Sequence, residues 1–179
     1  NLVKIVSKAS TEGFNYKPRA DHDLLRQYSK GIIALSACIQ GEVPQYILQD
    51  NMDGARRAVE WYIETFGKDN FFLEIQNHGL PEELRAQQVL CQLADEYGLG
   101  IVASNDFHYV MKDDAEAQDI RVCIQTGRRR AEVDRLKFPN DEFYLKSGDE
   151  MAELFGHIPG ALENTVKIAD RCNVEFNFD

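Results

Sequence analysis

The chain has 179 residues, of which 44% are hydrophobic, so it is long enough to bury a core and short enough to form one domain. Its 30 Asp and Glu residues outnumber its 20 Lys and Arg residues, and the formal net charge of −10 excludes strong DNA binding by this chain alone, because non-specific affinity for nucleic acid comes mainly from cations. Its apolar runs are far shorter than the roughly 20 residues that cross a bilayer, so no membrane segment is predicted.

Helical and strand patterns alternate along the chain. In order, the periodicity of apolar residues predicts helices at 2–12 and 21–29, a strand at 31–36, a helix at 53–66, a strand at 70–76, a helix at 81–97, a strand at 100–105, a helix at 113–126, a polar loop at 127–140, and helices at 148–155 and 160–172. This alternation predicts an α/β fold in which helical crossovers join parallel strands. Functional groups in such folds gather at the C-terminal ends of the strands.

The third predicted strand ends in the most informative segment of the chain. The sequence 101–109 begins as a buried strand and becomes polar at Asp106 and His108, which one residue separates. Alternate residues of an extended chain project to the same side, so a carboxylate and an imidazole converge here. This pair suits Zn²⁺, Mn²⁺ or Fe²⁺, and the alternative is a helix-capping Asp beside a surface His.

Two further candidates follow the other predicted strands. Cys38 comes after the strand at 31–36, and a small buried hydrophobe is the alternative interpretation of its thiol. His78 comes just after the strand at 70–76, where a simple turn residue is the alternative.

The four cysteines are scattered without a C-x-x-C spacing, which indicates neither a zinc knuckle nor a disulfide framework. A reducing, cytoplasmic setting is therefore expected. The first residues lack the features of a signal peptide, and the absence of an initiator Met suggests a piece of a longer protein.

Several strings of the sequence are distinctive, among them GIIALSAC at 31–38, FLEIQNHG at 72–79 and ASNDFHY at 103–109. Together with 1–9, 16–19, 41–42, 123–127, 138–144 and 161–174, they resemble the replicative DNA polymerase III alpha subunits of bacteria, in order and over essentially the whole chain. The resemblance places the chain in the PHP (polymerase and histidinol phosphatase) domain of that family. It implies a distorted seven-stranded β/α barrel that is incomplete here because its N-terminal strands would lie upstream.

The resemblance also implies the site. By motif, Cys38, Asp106 and His108 correspond to metal ligands of the family, with Asp106 as a possible catalytic residue and the remaining ligands upstream. Arg19 and His78 lie in matching strings and are expected beside the site or its substrate. Residues 1–140 would form the C-terminal two-thirds of the PHP domain, and residues 141–179 would lead toward the polymerase palm.

The implied function is that of a DNA-directed DNA polymerase whose PHP domain binds divalent metal, with Zn²⁺ or Mn²⁺ expected. This domain would act as a 3′–5′ exonuclease or, alternatively, as a metal-stabilised scaffold and docking platform for a proofreading subunit. Mg²⁺ would serve a polymerase site outside this chain, so the isolated chain is expected to be inactive. The implied partners are the rest of the alpha chain, DNA through other domains, a sliding clamp and the proofreading subunit.

Overall fold

A computed structural model describes residues 1–175 of the chain. The elements are α1 (Leu2–Thr11), α2 (His22–Gln27), β1 (Ala34–Leu35), α3 (Glu42–Leu48), α4 (Met52–Phe66), β2 (Phe71–Ile75), α5 (Pro81–Tyr97), β3 (Gly100–Ala103), α6 (Ala115–Thr126), α7 (Gly148–Phe155) and α8 (Glu163–Arg171). Single 3₁₀ turns precede β2 and α6. No helix within residues 1–175 combines the length and the apolar character needed to cross a bilayer.

The three strands form one parallel sheet in the order β1-β2-β3. Ala34 pairs with Phe71, and Phe72 pairs with Gly100, so β2 lies between the other two strands. The C-terminal ends of all three strands therefore meet at one edge of the sheet. This confirms the α/β class and the parallel sheet that the alternating pattern predicts.

The hydrophobic core lies on one face of this sheet. Phe71, Leu73 and Ile75 alternate along β2 and are almost completely buried there. Helices that precede β2 in the chain and helices that follow it pack against these residues. The cluster includes Val43, Ile47, Ala55, Val59, Leu90, Leu93, Phe155 and Ala161. The core therefore packs α3, α4, α5 and α7 against the sheet.

Helix boundaries follow the capping signals in the sequence. Helix α5 has the predicted bounds, with Pro81 in its first turn and Gly98 as a left-handed C-cap at φ 62°. Helix α7 also has the predicted bounds, because Ser147 and Glu150 form a capping box. The segment 127–147 contains no helix or strand, which confirms the long loop predicted at 127–140.

The largest differences from the sequence-based expectations concern α3 and β1, while α2, β3 and α8 are two to four residues shorter than predicted. The helix α3 was not predicted, because its seven residues include Pro44 and are too few to show a period; Pro44 is tolerated since it lies in the first turn. The strand predicted at 31–36 pairs only at Ala34 and Leu35, so the apolar run extends beyond the ladder. The last four residues of the predicted segment 141–179 lie outside the described residues.

Candidate metal site

A network of polar side chains crosses the C-terminal edge of the sheet. The backbone N–H of Glu74 donates to Ser36 Oγ at 2.8 Å, which joins β2 to the end of β1. On the other side, Ser104 Oγ donates to the Glu74 carboxylate, and Gln76 Nε2 donates to Ser104 Oγ at 2.9 Å. Glu74 therefore holds the ends of all three strands together, a role that sequence reasoning missed although a carboxylate within the apolar string FFLEI was a visible signal.

Cys38 lies at this edge beyond β1. Ala37 adopts a left-handed conformation at φ 64°, which turns the chain sharply before the cysteine. The Cys38 carbonyl then accepts a hydrogen bond from the Gly41 N–H at 2.8 Å. Its half-buried side chain lines a small hollow with Glu74 and Gln76, so the thiol lies beside the end of β2.

Asp106 and His108 lie beyond β3 and face each other. His108 Nε2 is 3.2 Å from Asp106 Oδ1, and both side chains are exposed. The His108 backbone N–H donates to the Phe143 carbonyl at 2.8 Å, and the His108 ring lies 4.6 Å from the Phe138 ring. The predicted convergence of this carboxylate and this imidazole is therefore present.

Cys38 does not join the Asp106–His108 pair in a single cluster. Within residues 1–175, no three His, Cys, Asp or Glu side chains are grouped closely enough to hold a metal ion. The strand order explains this separation, because β2 lies between the strand that precedes Cys38 and the strand that precedes the pair. The described residues thus bring two of the predicted ligands together and place the third on the far side of β2.

His78 is buried in the bend that follows β2. Only 1% of it is accessible, and its ring Nδ1 lies 2.7 Å from Glu83 Oε1. The His78 backbone N–H donates to the other carboxylate oxygen at 2.6 Å. Burial by itself would raise the pKa of Glu83, but these two hydrogen bonds from His78 lower it below its usual value of 4.5, so this carboxyl is ionised at neutral pH.

Arg19 lies in the segment between α1 and α2. It is exposed, and its backbone N–H donates to the Ala9 carbonyl at 3.3 Å. Its surroundings are a polar hollow formed by α1, α2 and the segment between them, with Lys8 and Asp21 among the lining residues. The expectation that Arg19 lies beside the site or its substrate therefore stays a prediction.

Comparison with known proteins finds sequence similarity to one domain family and to one kind of protein subunit. Residues 1–78 match the family model of the PHP domain. DNA polymerase III subunit alpha of Treponema pallidum is 47% identical over 174 residues, which cover 97% of this chain. The corresponding subunits of Thermus aquaticus and Deinococcus radiodurans are 46% and 47% identical over 180 residues, or 98% of the chain. The chain is homologous to a segment of DNA polymerase III alpha subunits.

The extent of these matches bears on the site. The chain spans only 15%, 14% and 13% of the length of these three alpha subunits. The PHP match contains Cys38 and His78, whereas Asp106 and His108 follow it. The match to the alpha subunits includes all four residues within a nearly complete alignment of the chain, and it confirms the resemblance predicted from the sequence strings.

Proposed function

We propose that this chain forms the greater part of a PHP domain in a DNA polymerase III alpha subunit and contributes ligands to a divalent-metal site. The observation that carries the proposal is the Asp106–His108 pair, 3.2 Å apart at the C-terminal edge of a parallel sheet in a homologue of these subunits. In the proposed arrangement, residues 1–140 are the C-terminal two-thirds of the PHP domain and 141–179 lead toward the palm. Mg²⁺-dependent nucleotide addition would belong to other parts of the full-length protein.

The proposed barrel is consistent with the sheet. The edge strand β1 has only two paired residues, and Leu35 remains 38% exposed. An upstream segment that supplied the N-terminal strands of a seven-stranded barrel would cover this edge and bring further ligands to it. We therefore propose that the described sheet is one part of a distorted barrel.

The donor atoms fit a partial metal site. An imidazole nitrogen beside a carboxylate oxygen suits Zn²⁺ or Mn²⁺, and the Cys38 thiolate would favour Zn²⁺. Two converging side chains do not complete a coordination sphere, so the remaining ligands would come from upstream residues. Cys38 would join them across the end of β2.

The proposed reaction is hydrolysis of the last phosphodiester bond at a 3′ end: water attacks the phosphorus, the bond to the 3′ oxygen of the preceding nucleotide breaks, this oxygen takes a proton, and a nucleoside monophosphate leaves. A bound divalent metal supplies a Lewis acid and lowers the pKa of water toward neutrality. Cys38 and His108 would act only as ligands, while Asp106 would act as a ligand and also orient the attacking water. Both side chains are exposed, so a strand can reach them, but the net charge of −10 means that other domains would have to hold the DNA.

Replacing Asp106 with Ala in the full-length protein is expected to abolish 3′–5′ exonuclease activity while DNA synthesis continues. The reason is that Asp106 would belong to the exonuclease site and not to the polymerising centre, so only the exonuclease site loses a carboxylate. Degradation of a 5′-labelled single strand, measured alongside primer extension, checks the prediction. The matched control is Asp113→Ala, an exposed carboxylate seven residues further along the chain. An unchanged exonuclease rate in Asp106→Ala contradicts the catalytic role.

A structural role is the second candidate, and the position of Cys38 favours it. Cys38 and the Asp106–His108 pair lie beyond strands on opposite sides of β2, so a shared metal cluster would tie the two outer strand ends together. Metal binding of this kind stabilises a fold without hydrolysis, and the domain could then serve as a platform for a proofreading subunit. A chelator that lowers the thermal midpoint of a full-length protein with no exonuclease activity at any metal concentration supports this role over catalysis.

A further inference from the structure

The imidazole of His78 is fixed in orientation by its neighbours. Both carboxylate oxygens of Glu83 accept hydrogen bonds from His78, one from ring Nδ1 at 2.7 Å and one from the backbone N–H at 2.6 Å. The His78 carbonyl accepts from Asn140 Nδ2 at 2.7 Å, which ties the end of β2 to the loop before Phe143. These hydrogen bonds restrict rotation of the ring and movement of the turn.

Packing alone does not account for an imidazole at this position. His78 Nε2 is buried and has no hydrogen-bond partner among the described residues. An unpaired buried nitrogen is unfavourable, and an apolar ring would fill the same space without it. What the imidazole adds is the hydrogen bond of Nδ1 to Glu83, which sets the plane of the ring.

The Phe143 ring lies flat on this fixed plane. The centroids of the His78 and Phe143 rings are 4.5 Å apart, and the rings are parallel. Phe143 is 7% exposed, so the His78 ring forms one wall of its pocket. A stacked pair of this kind restricts the position of the partner ring and, with it, of the attached backbone.

Phe143 in turn holds His108 in two ways. Its carbonyl accepts the His108 backbone N–H at 2.8 Å. Its ring lies 4.9 Å from the Phe138 ring, which lies 4.6 Å from the His108 ring. A continuous line of contacts thus runs from Glu83 through His78 and Phe143 to His108.

We propose that His78 is a positioning residue: the ring that Glu83 holds is the surface on which Phe143 stacks, and this contact sets the position of His108 in the site. The inference rests on the proposed function for its consequence in metal binding, but its geometric part does not require a metal. His78 itself would not touch metal or substrate.

Two substitutions of His78 test the contribution of the ring and the contribution of its hydrogen bond to Glu83 separately. In His78→Phe, the stacking surface for Phe143 remains while the donor to Glu83 is lost. In His78→Asn, the side-chain amide keeps a donor near the place of Nδ1, but the ring is removed. If the Glu83 hydrogen bond alone matters, His78→Phe should disturb His108 more than His78→Asn does. If the ring positions Phe143, His78→Asn should disturb His108 more.

The first measurement is hydrogen–deuterium exchange in the full-length protein, followed by mass spectrometry. We expect His78→Asn to speed exchange of the His108 amide about tenfold, since its acceptor on Phe143 is no longer held, and His78→Phe, which keeps a ring against Phe143 but loses the hydrogen bond that orients it, to speed it less. The β2 peptide 71–75 is the internal control for global unfolding. Phe143→Leu removes the other ring of the pair and is expected to reproduce the effect of His78→Asn.

The second measurement is Zn²⁺ affinity of the same proteins, determined by competition with a chelating dye. Loss of a residue that orients a ligand weakens metal binding by roughly 10–100-fold, and we expect about tenfold for His78→Asn and a smaller loss for His78→Phe. Equal exchange at His108 in the two variants overturns the positioning role. An exchange difference with unchanged Zn²⁺ affinity overturns its link to the metal. A wild-type protein that binds no Zn²⁺ but keeps the exchange difference overturns the proposed metal site and supports the positioning role.

Discussion

Replacing Phe71 with Ala is expected to lower the free energy of unfolding of this chain by about 3–5 kcal/mol. Phe71 is completely buried on the central strand, where it stacks on Tyr62 of α4 with ring centroids 5.0 Å apart. Truncation removes the ring from the largest apolar cluster and leaves a cavity between β2 and α4 that close-packed neighbours can fill only in part. Urea denaturation followed by circular dichroism measures the loss.

The matched control is Phe14→Ala, since Phe14 is 62% exposed. The same deletion there is expected to change the free energy of unfolding by less than about 0.5 kcal/mol. Similar losses for the two variants contradict the assignment of the core to the helix-covered face of β2.

Replacing Glu83 with Ala is expected to lower the free energy of unfolding by about 2–4 kcal/mol, because two buried donors of His78 lose their acceptor at once. The effect depends on pH. The pKa of Glu83 is lowered in the folded chain, so its contribution is fully present above the usual value of 4.5 and is lost as the pH falls through the folded-state pKa. Denaturation at pH 7 and at pH 3 is therefore expected to show a smaller difference between wild type and variant at the lower pH.

Glu82 offers a control in the same turn of α5. Its side chain is exposed, and Glu82→Ala is expected to change stability by less than about 0.5 kcal/mol at either pH. A Glu83→Ala loss that stays constant from pH 7 to pH 3 contradicts the assignment of an ionised, hydrogen-bonded carboxylate.

The sequence predicted the bounds of a helix correctly where residues typical of helix ends were present. Pro81 with Gly98 and Ser147 with Glu150 fixed the ends of α5 and α7, because caps satisfy backbone groups that the helix itself leaves free. No comparable signal marked α3, and β1 is limited by its pairing with β2, which a single strand's sequence does not reveal.

The candidate site was predictable only where its members are neighbours in the chain. Asp106 and His108 are two residues apart, and the end of β3 brings them together as the spacing indicated. The relation of Cys38 to this pair depends on strand order, which places β2 between them. Burial of His78 was also hidden, since it depends on Glu83 in the following helix and on Phe143 far along the chain.

Elemental analysis of metal bound to the purified full-length protein tests most directly whether Cys38, Asp106 and His108 hold metal in the proposed PHP site. We expect at least one equivalent of Zn²⁺ or Mn²⁺ in the wild type and a clear loss in Cys38→Ser, Asp106→Ala and His108→Ala. Cys172→Ser is the control thiol, exposed at the end of α8, and is expected to retain the wild-type amount. A full-length protein without bound metal, or the same metal content in all variants, would contradict the proposed site.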